Sequence, residues 1–363
     1  MRALQEAEKT ARAATDQESD LQSPSSGGAA RRGAKRIWKT LLSLFLSALL
    51  FYLAFIQIQS KSLLDSLGRF DSTIVALLIL LAAIRIFAVT QRWRLLLVVM
   101  ATDPGFATSL RLTYEGALLN GFLPGSIAGD PYRILRLRGL GMGLSAASFA
   151  TLLDRFVGVL TLAGLGFLGL VWALWSTGAQ ASPESVLVAI AGLGCLAVAV
   201  MAALLFADRS PVSLPWIGDW VARELPGIRS SLKRLMRNPR QIMSVVGLSL
   251  VGHLALALMF VVPLATLTPQ LSLGASLAMG FAISLAQLLP FSVGGWGVRE
   301  LAAVSGFGLI GVAGPDALAT SIAVGAVNSL ILVPASLLFL LPRLQKQVGS
   351  QDAASPATMM DRE

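Results

Sequence analysis

Two stretches of this chain place helix breakers and fixed charge in the same order. The first is Leu123-Pro124-Gly125-Ser126-Ile127-Ala128-Gly129-Asp130-Pro131-Tyr132-Arg133. The second is Leu289-Pro290-Phe291-Ser292-Val293-Gly294-Gly295-Trp296-Gly297-Val298-Arg299, 166 residues further on, and Glu300 follows it. Together they read L-P-x-S-[I/V]-[A/G]-G-x-x-x-R, and an amide precedes each break, Asn120 in one and Gln287 in the other. A helix that restarts inside apolar chain presents unpaired N–H groups and a partial positive charge, and glycine turns add further amides. Arg133 and Arg299 add planar forked cations whose geometry suits phosphate. Corresponding Gly/Pro-interrupted segments in two halves of a hydrophobic chain point to a binding site at the interface of an internal repeat.

The candidate substrate-binding residues are therefore Asn120, Pro124, Gly125, Ser126, Gly129, Asp130 and Arg133 in the first copy. In the second they are Gln287, Pro290, Ser292, Gly294, Gly295, Gly297, Arg299 and Glu300. Asp154 and Arg155 join them as charges inside an apolar run; being neighbours, they point about 100° apart on a helix, so one of them at most faces a given wall squarely. A charge at mid-bilayer costs ~2.5–3.5 kcal/mol on insertion scales, so such residues pair, face water or bind something. The alternative to a substrate site is a set of structural ion pairs, Asp130 with Arg133 and Arg299 with Glu300 or Asp154.

These residues must be positioned by membrane helices. Of 363 residues, 55% are hydrophobic and only 13% are charged, and the mean hydropathy is +0.72. Soluble domains carry about 25% charged residues. The deficit, with several apolar runs long enough to cross hydrocarbon, predicts an all-α polytopic membrane protein. The net charge of +9 sits mainly in the tail and between spans, which fits topology and anionic lipid rather than nucleic acid. One cysteine (Cys195) and one histidine (His253) cannot form a disulfide or a convincing Cys/His metal or catalytic site. Cys195 reads as core packing and His253 as a helix–helix hydrogen bond. No cofactor or metal is expected.

Along the chain, residues 1–36 read as a disordered cytoplasmic tail ending in a basic collar (Arg31, Arg32, Lys35, Arg36, Lys39). A membrane domain follows over 37–345, with a first half over 37–206, a basic cytoplasmic loop over 207–241 and a second half over 242–345. Residues 346–363 form a second cytoplasmic tail. The first span covers 37–58, and 59–72 reads as an external loop. The second span begins near Thr73 and returns to Arg92-Trp93-Arg94 as an interfacial anchor, with Arg85 snorkelling toward the headgroups. Residues 108–123 are too short for a full span. Asp130-Pro131 reads as N-cap and first helical position of a short helix, 131–138, whose Arg133, Arg136 and Arg138 favour the cytoplasm. Three full crossings, 144–175, 186–206 and 242–266, then separate the copies, and an odd number inverts the second copy. A second hairpin, 273–290 and 298–313, precedes a last span over 317–341. The expectation is about six full transmembrane helices plus two re-entrant helical hairpins in an inverted-topology repeat, with both termini cytoplasmic and a hydrated pocket between the hairpins.

The pattern N-G-F-L-P-G-S-x-x-G-D-x-x-R, then Leu153-Asp154-Arg155, then L-L-P-F-S-x-G-G-W-G-x-R-E resembles the integral-membrane domain of lysylphosphatidylglycerol synthases (multiple peptide resistance factors) and its stand-alone flippase-like relatives. The resemblance runs over about 37–345. It implies a lipid-translocating domain with re-entrant helices from both sides. About 20 polar residues follow the last span, so the soluble aminoacyltransferase domain of the full synthases is not expected here, nor is enzyme activity. The expected function is a flippase-like transporter of the cytoplasmic membrane, carrying an anionic or zwitterionic phospholipid or polyprenyl phosphate, with Arg133 and Arg299 holding the phosphate from opposite sides. The rival reading is a membrane-embedded lipid-modifying transferase or its non-catalytic partner. Expected partners are membrane lipids, with a second copy or a cytoplasmic protein reached through loop 207–241.

Overall fold

The computed structural model describes residues 45, 47–56, 58, 60–100, 102–122, 129–177, 230, 233–288 and 293–333. The expected tails, most of loop 207–241, the span over 186–206, and Pro124, Gly125, Ser126, Pro290 and Ser292 lie outside these residues. The ordered elements are α1 (Ser47–Phe55), α2 (Ser60–Gly68), α3 (Ser72–Val99), α4 (Phe106–Phe122), α5 (Gly129–Gly139), α6 (Leu144–Thr177), α7 (Pro239–Leu267), α8 (Leu273–Ala286), α9 (Val298–Leu309) and α10 (Gly314–Leu330).

Three of these, α3, α7 and the Leu144–Gly169 part of α6, are long and apolar enough to cross a membrane. The 28 residues of α3 span about 42 Å at 1.5 Å per residue. Its outer face exposes Val75, Leu77, Ile79, Leu80, Ile84 and Phe87, as a lipid-facing helix should. By contrast, α4 (17 residues) and α8 (14 residues) reach only ~25 Å and ~21 Å, short of the ~30 Å hydrocarbon core.

The sequence repeat is a repeat of packing. In the first half α3 packs on α4, α4 on α5, α5 on α6, and α6 back on α3; in the second, α7, α8, α9 and α10 make the same four contacts in the same order. Corresponding helices begin 167, 167, 169 and 170 residues apart. The turn after the third helix is also shared. Met142 N–H donates to Leu137 O with Gly141 at φ +87, and Val312 N–H donates to Phe307 O with Gly311 at φ +83. Both close a helix through a left-handed glycine.

The halves meet along α3 and α7, which run antiparallel. Arg69 bonds to Thr266 O at one end, Gly252 faces Ala88 midway, Arg92 bonds to Ser249, and Gln241 bonds to Leu95 O at the other end. As numbers rise on α3 they fall on α7. The two repeat units are therefore oppositely directed at their common interface. They are not equivalent in their surroundings. α8 packs along α6 across the halves, whereas α10 packs against α2 in place of a matching partner from the first half.

Several expectations need correcting. Residues 59–72 do not form a plain loop. Helix α2 lies there, turned 91° from α1, and Ser66 Oγ bonds to Asp316 Oδ1 at 2.7 Å, pinning α2 to the start of α10. The second span does not end at Arg92: α3 continues to Val99, so Arg92 and Trp93 are interior, 6% and 0% exposed. Only Arg94 behaves as expected of an anchor. It donates two hydrogen bonds to Asp103 (2.8 and 2.7 Å), which hold the Asp103 carboxyl below its usual range. Asp130 is not the N-cap of α5 either. The helix starts at Gly129, whose N–H is taken by Asn120 Oδ1 at 2.7 Å, and Asp130 lies in the first turn, where its charge suits the helix dipole.

That start is tightly packed, since a Cβ at Gly129 would run into the backbone of Gly116. Gly129→Ala should therefore cost ~1–3 kcal/mol by overpacking and lower the thermal midpoint of detergent-solubilised protein. Gly164→Ala, on α6 with open space around it, should raise the midpoint slightly, by ~0.5–1 kcal/mol of helix propensity.

Candidate functional site

The second copy builds a closed ion pair. Glycine dominates its break because Gly294, Gly295 and Gly297 all take positive φ (61°, 81° and 86°), where a side chain is strained. The turn delivers Gly297 N–H to Glu300 Oε2 at 2.6 Å, capping α9 from within. Glu300 Oε1 accepts from Arg299 Nη2 (2.6 Å) and Nε (3.0 Å) and from Ser321 Oγ (3.2 Å). Arg299 lies 4.4 Å from the centroid of Trp296 on one side and against Gly325 on the other, where a Cβ would overlap the guanidinium. Both residues are almost wholly buried, 3% and 0% exposed, and none of their buried polar atoms lacks a partner.

The first copy is different. Arg133, 5% exposed, lies flat on Trp93 at 3.7 Å from the ring centroid. Its Nη1 is 3.6 Å from Asp130 Oδ1, too long for a hydrogen bond, and its Nε and Nη2 have no partner among the described residues. Asp130 is engaged instead by Arg155 in a two-pronged pair at 2.8 and 2.9 Å. Asp154 is held by Arg92 Nε at 2.7 Å, and Arg92 Nη1 continues to Ser249 Oγ at 2.9 Å. Beside this cluster, Arg85 bonds to Asn328 Oδ1 at 3.2 Å, so it faces protein rather than snorkelling to the headgroups.

The sequence places the right residues together but mispairs some of them. Arg299 pairs with Glu300, as one alternative had it, and not with Asp154. Asp130 bonds to Arg155 more closely than to Arg133. Asp154 is buried and Arg155 exposed, in keeping with side chains about 100° apart. Asn120 caps α5, and Gln287 lies beside Gly295. Arg133 and Arg299 differ in their pairing: Arg299 Nε and Nη2 bond to Glu300, whereas Arg133 Nε and Nη2 have no partner among the described residues.

Arg92 and Trp93 are the functional residues that sequence reading missed. A signal existed, because Arg85 and Arg92 are seven apart and so share one face of α3. Glu115 on α4 is fully buried and accepts from Arg111 Nε (2.7 Å) and Tyr132 Oη (2.8 Å).

The second break packs against the end of α4. A Cβ at Gly294 would come within 3.0 Å of Gly121 O, the residue before the end of α4. Beside the second break lies a cavity of about 550 Å³ lined by Ser47, Ala48, Phe51, Tyr52, Phe55, Val293 and Trp296. It is apolar, unlike the hydrated pocket expected between hairpins. Among the described residues no group of His, Cys, Asp and Glu could hold a metal ion.

The closed pair implies a folding role. Arg299→Ala leaves Glu300 buried and uncompensated, which should cost ~3–5 kcal/mol and lower the yield of monodisperse protein. Arg299→Ala/Glu300→Ala should recover part of that loss. Arg133→Ala, which strands no carboxylate, should be milder than Arg299→Ala in the same melting assay.

Residues 40–336 match the family model described as the lysylphosphatidylglycerol synthase TM region, which is well over half of the chain. No curated protein matches the chain. The chain belongs to the lysylphosphatidylglycerol synthase TM region family and is a multi-pass membrane protein.

Proposed function

With membership of that family as premise, we propose that this chain is a lipid carrier of the cytoplasmic membrane and not an enzyme. The pairs α4–α5 and α8–α9 act as re-entrant hairpins entering from opposite faces, and about six full spans surround them. The headgroup passes through the zone where the hairpin tips meet while the hydrocarbon tails remain in lipid. Both termini face the cytoplasm.

The observation that carries this reading is the approach of the second break, at Gly294, to Gly121 in the last turn of α4, beside a partly buried cluster of charge. Irregular backbone at membrane depth is tolerated only inside protein or against a wet cavity. Placing two such segments against each other has a structural cost, and transporters built from inverted repeats bind substrate at such a junction. The short reach of α4 and α8 supports re-entrance, and the antiparallel pairing of α3 with α7 supports opposed entry. The pairing of Arg299 with Glu300 favours the first copy as the anion-binding one, with the second copy as its structural counterpart. Rocking of one unit against the other about the α3–α7 interface would then open the junction alternately to the two sides.

The test is headgroup translocation in proteoliposomes with reporter-labelled glycerophospholipids and polyprenyl phosphates. Wild type should accelerate translocation of at least one class over protein-free vesicles. Arg133→Lys, which keeps charge and loses the fork, should reduce the rate on the order of tenfold, the equivalent of one charge-assisted hydrogen bond. Folded wild-type protein that moves none of these lipids would overturn the carrier reading.

A further inference from the structure

The charge cluster of the first copy is unbalanced. Arg92 and Arg155 each interact electrostatically with Arg85 and with Arg133, and the carboxylates among them are Asp130 and Asp154. That is four guanidinium groups against two carboxylates, an excess of two positive charges among the described residues. His253 adjoins Arg85, Arg92 and Asp154 and supplies no negative charge in either protonation state. The remaining carboxylate nearby, Glu115, is committed to Arg111 and Tyr132. In the second copy Arg299 and Glu300 cancel.

Arg92 and Arg133 are buried while Arg155 is exposed, and a buried cation with unfilled bonding capacity favours the arrival of an anion. The structure also marks where. Trp93 covers one face of Arg133, and the buried Nε and Nη2 are the donors without a partner. Nε and an adjacent Nη form the two-pronged edge of a guanidinium, which matches two oxygens of a phosphate.

From this we infer that the site in the first copy selects a phosphate-bearing lipid headgroup of net negative charge, and discriminates against zwitterionic and net-cationic headgroups. The selection follows from charge balance. A headgroup with an added ammonium would bring back the charge that its phosphate had neutralised. Asp130 sets the strength of the site, since Arg155 holds it away from hydrogen-bond range of Arg133. The inference rests on the carrier reading for the place of the lipid in transport, but its content is binding.

The experiment is native mass spectrometry of the full chain in detergent. It is titrated with four lipids of identical tails: phosphatidic acid, phosphatidylglycerol, phosphatidylcholine and lysylphosphatidylglycerol. Glycerol phosphate is added as a tail-free competitor. The two anionic lipids should bind at least about tenfold more tightly than phosphatidylcholine, with lysylphosphatidylglycerol weaker still, on the order of one or two charge-assisted hydrogen bonds. Asp130→Asn should strengthen binding of the anionic lipids. Arg155→Gln, which frees Asp130 to close on Arg133, should weaken it by a similar factor. A merely structural cluster would lose stability in both variants without this opposite ordering.

Equal binding of all four lipids, tighter binding of lysylphosphatidylglycerol, or the same direction of change in both variants would overturn the inference. Displacement of lipid by glycerol phosphate at equal concentration would assign the site to a soluble phosphate and overturn it too. Translocation of the same four lipids, run in parallel, separates the two claims. Anionic lipid bound through Arg133 but never moved leaves the selectivity standing and removes the carrier. Phosphatidylcholine bound and moved as readily as phosphatidylglycerol does the reverse.

Discussion

The constraint on which the structure turns is the cost of charge away from water. Each ionised side chain in the protein interior must find a counter-charge, a set of dipoles or a ligand. The fold meets that demand twice with the same scaffold and gives two different answers. In the second copy, the acid next to Arg299 in sequence bends back onto it, and the backbone N–H of Gly297 takes the other carboxylate oxygen. The corresponding acid in the first copy, Asp130, lies three residues before its arginine and is drawn off by Arg155 from the next helix. One copy is consequently self-contained and the other has unfilled bonding capacity. Identical packing with unequal electrostatics is what a repeat protein needs if one half is to bind and the other is to hold.

That division explains the small residues. Gly325 lets the guanidinium of Arg299 lie flat between helix and tryptophan, and Gly116 with Gly129 lets α4 and α5 cross almost backbone to backbone. Close approach of this kind is how helices associate where no hydrophobic difference from the solvent exists. It also limits what can move. Helices α4 and α5 cannot slide past each other at Gly116 and Gly129 without first separating.

Much of this was legible in the chain. The repeat and its offset came from Leu-Pro and Gly-Gly, because these are local signals of helix breaking. The helix over 60–68 was missed because a short amphipathic helix beside two charges reads like an exposed loop; only Ser66 meeting Asp316 shows what it packs on. Arg92 and Trp93 were missed for a related reason. A basic–aromatic–basic triplet after an apolar run has the composition of an interfacial belt, and nothing local says that the helix runs on to Val99. The ion-pair partners could not be read at all beyond neighbours such as Arg299 and Glu300. Which acid meets Arg155 depends on the crossing of α5 and α6, a tertiary property.

The apolar cavity by Phe51, Tyr52, Phe55 and Trp296 bears on how a lipid could use such a site. It is lined in part by Val293 and Trp296, from the same turn whose Gly294 touches Gly121 at the first break. A headgroup drawn to the end of α4 would thus have an apolar surface nearby, formed in part by α1. The tail of a lipid could rest against that wall and need not follow the headgroup through protein. The energetic problem for a lipid carrier is then confined to the headgroup, and the first copy offers charge without a counter-charge for that part of the molecule alone.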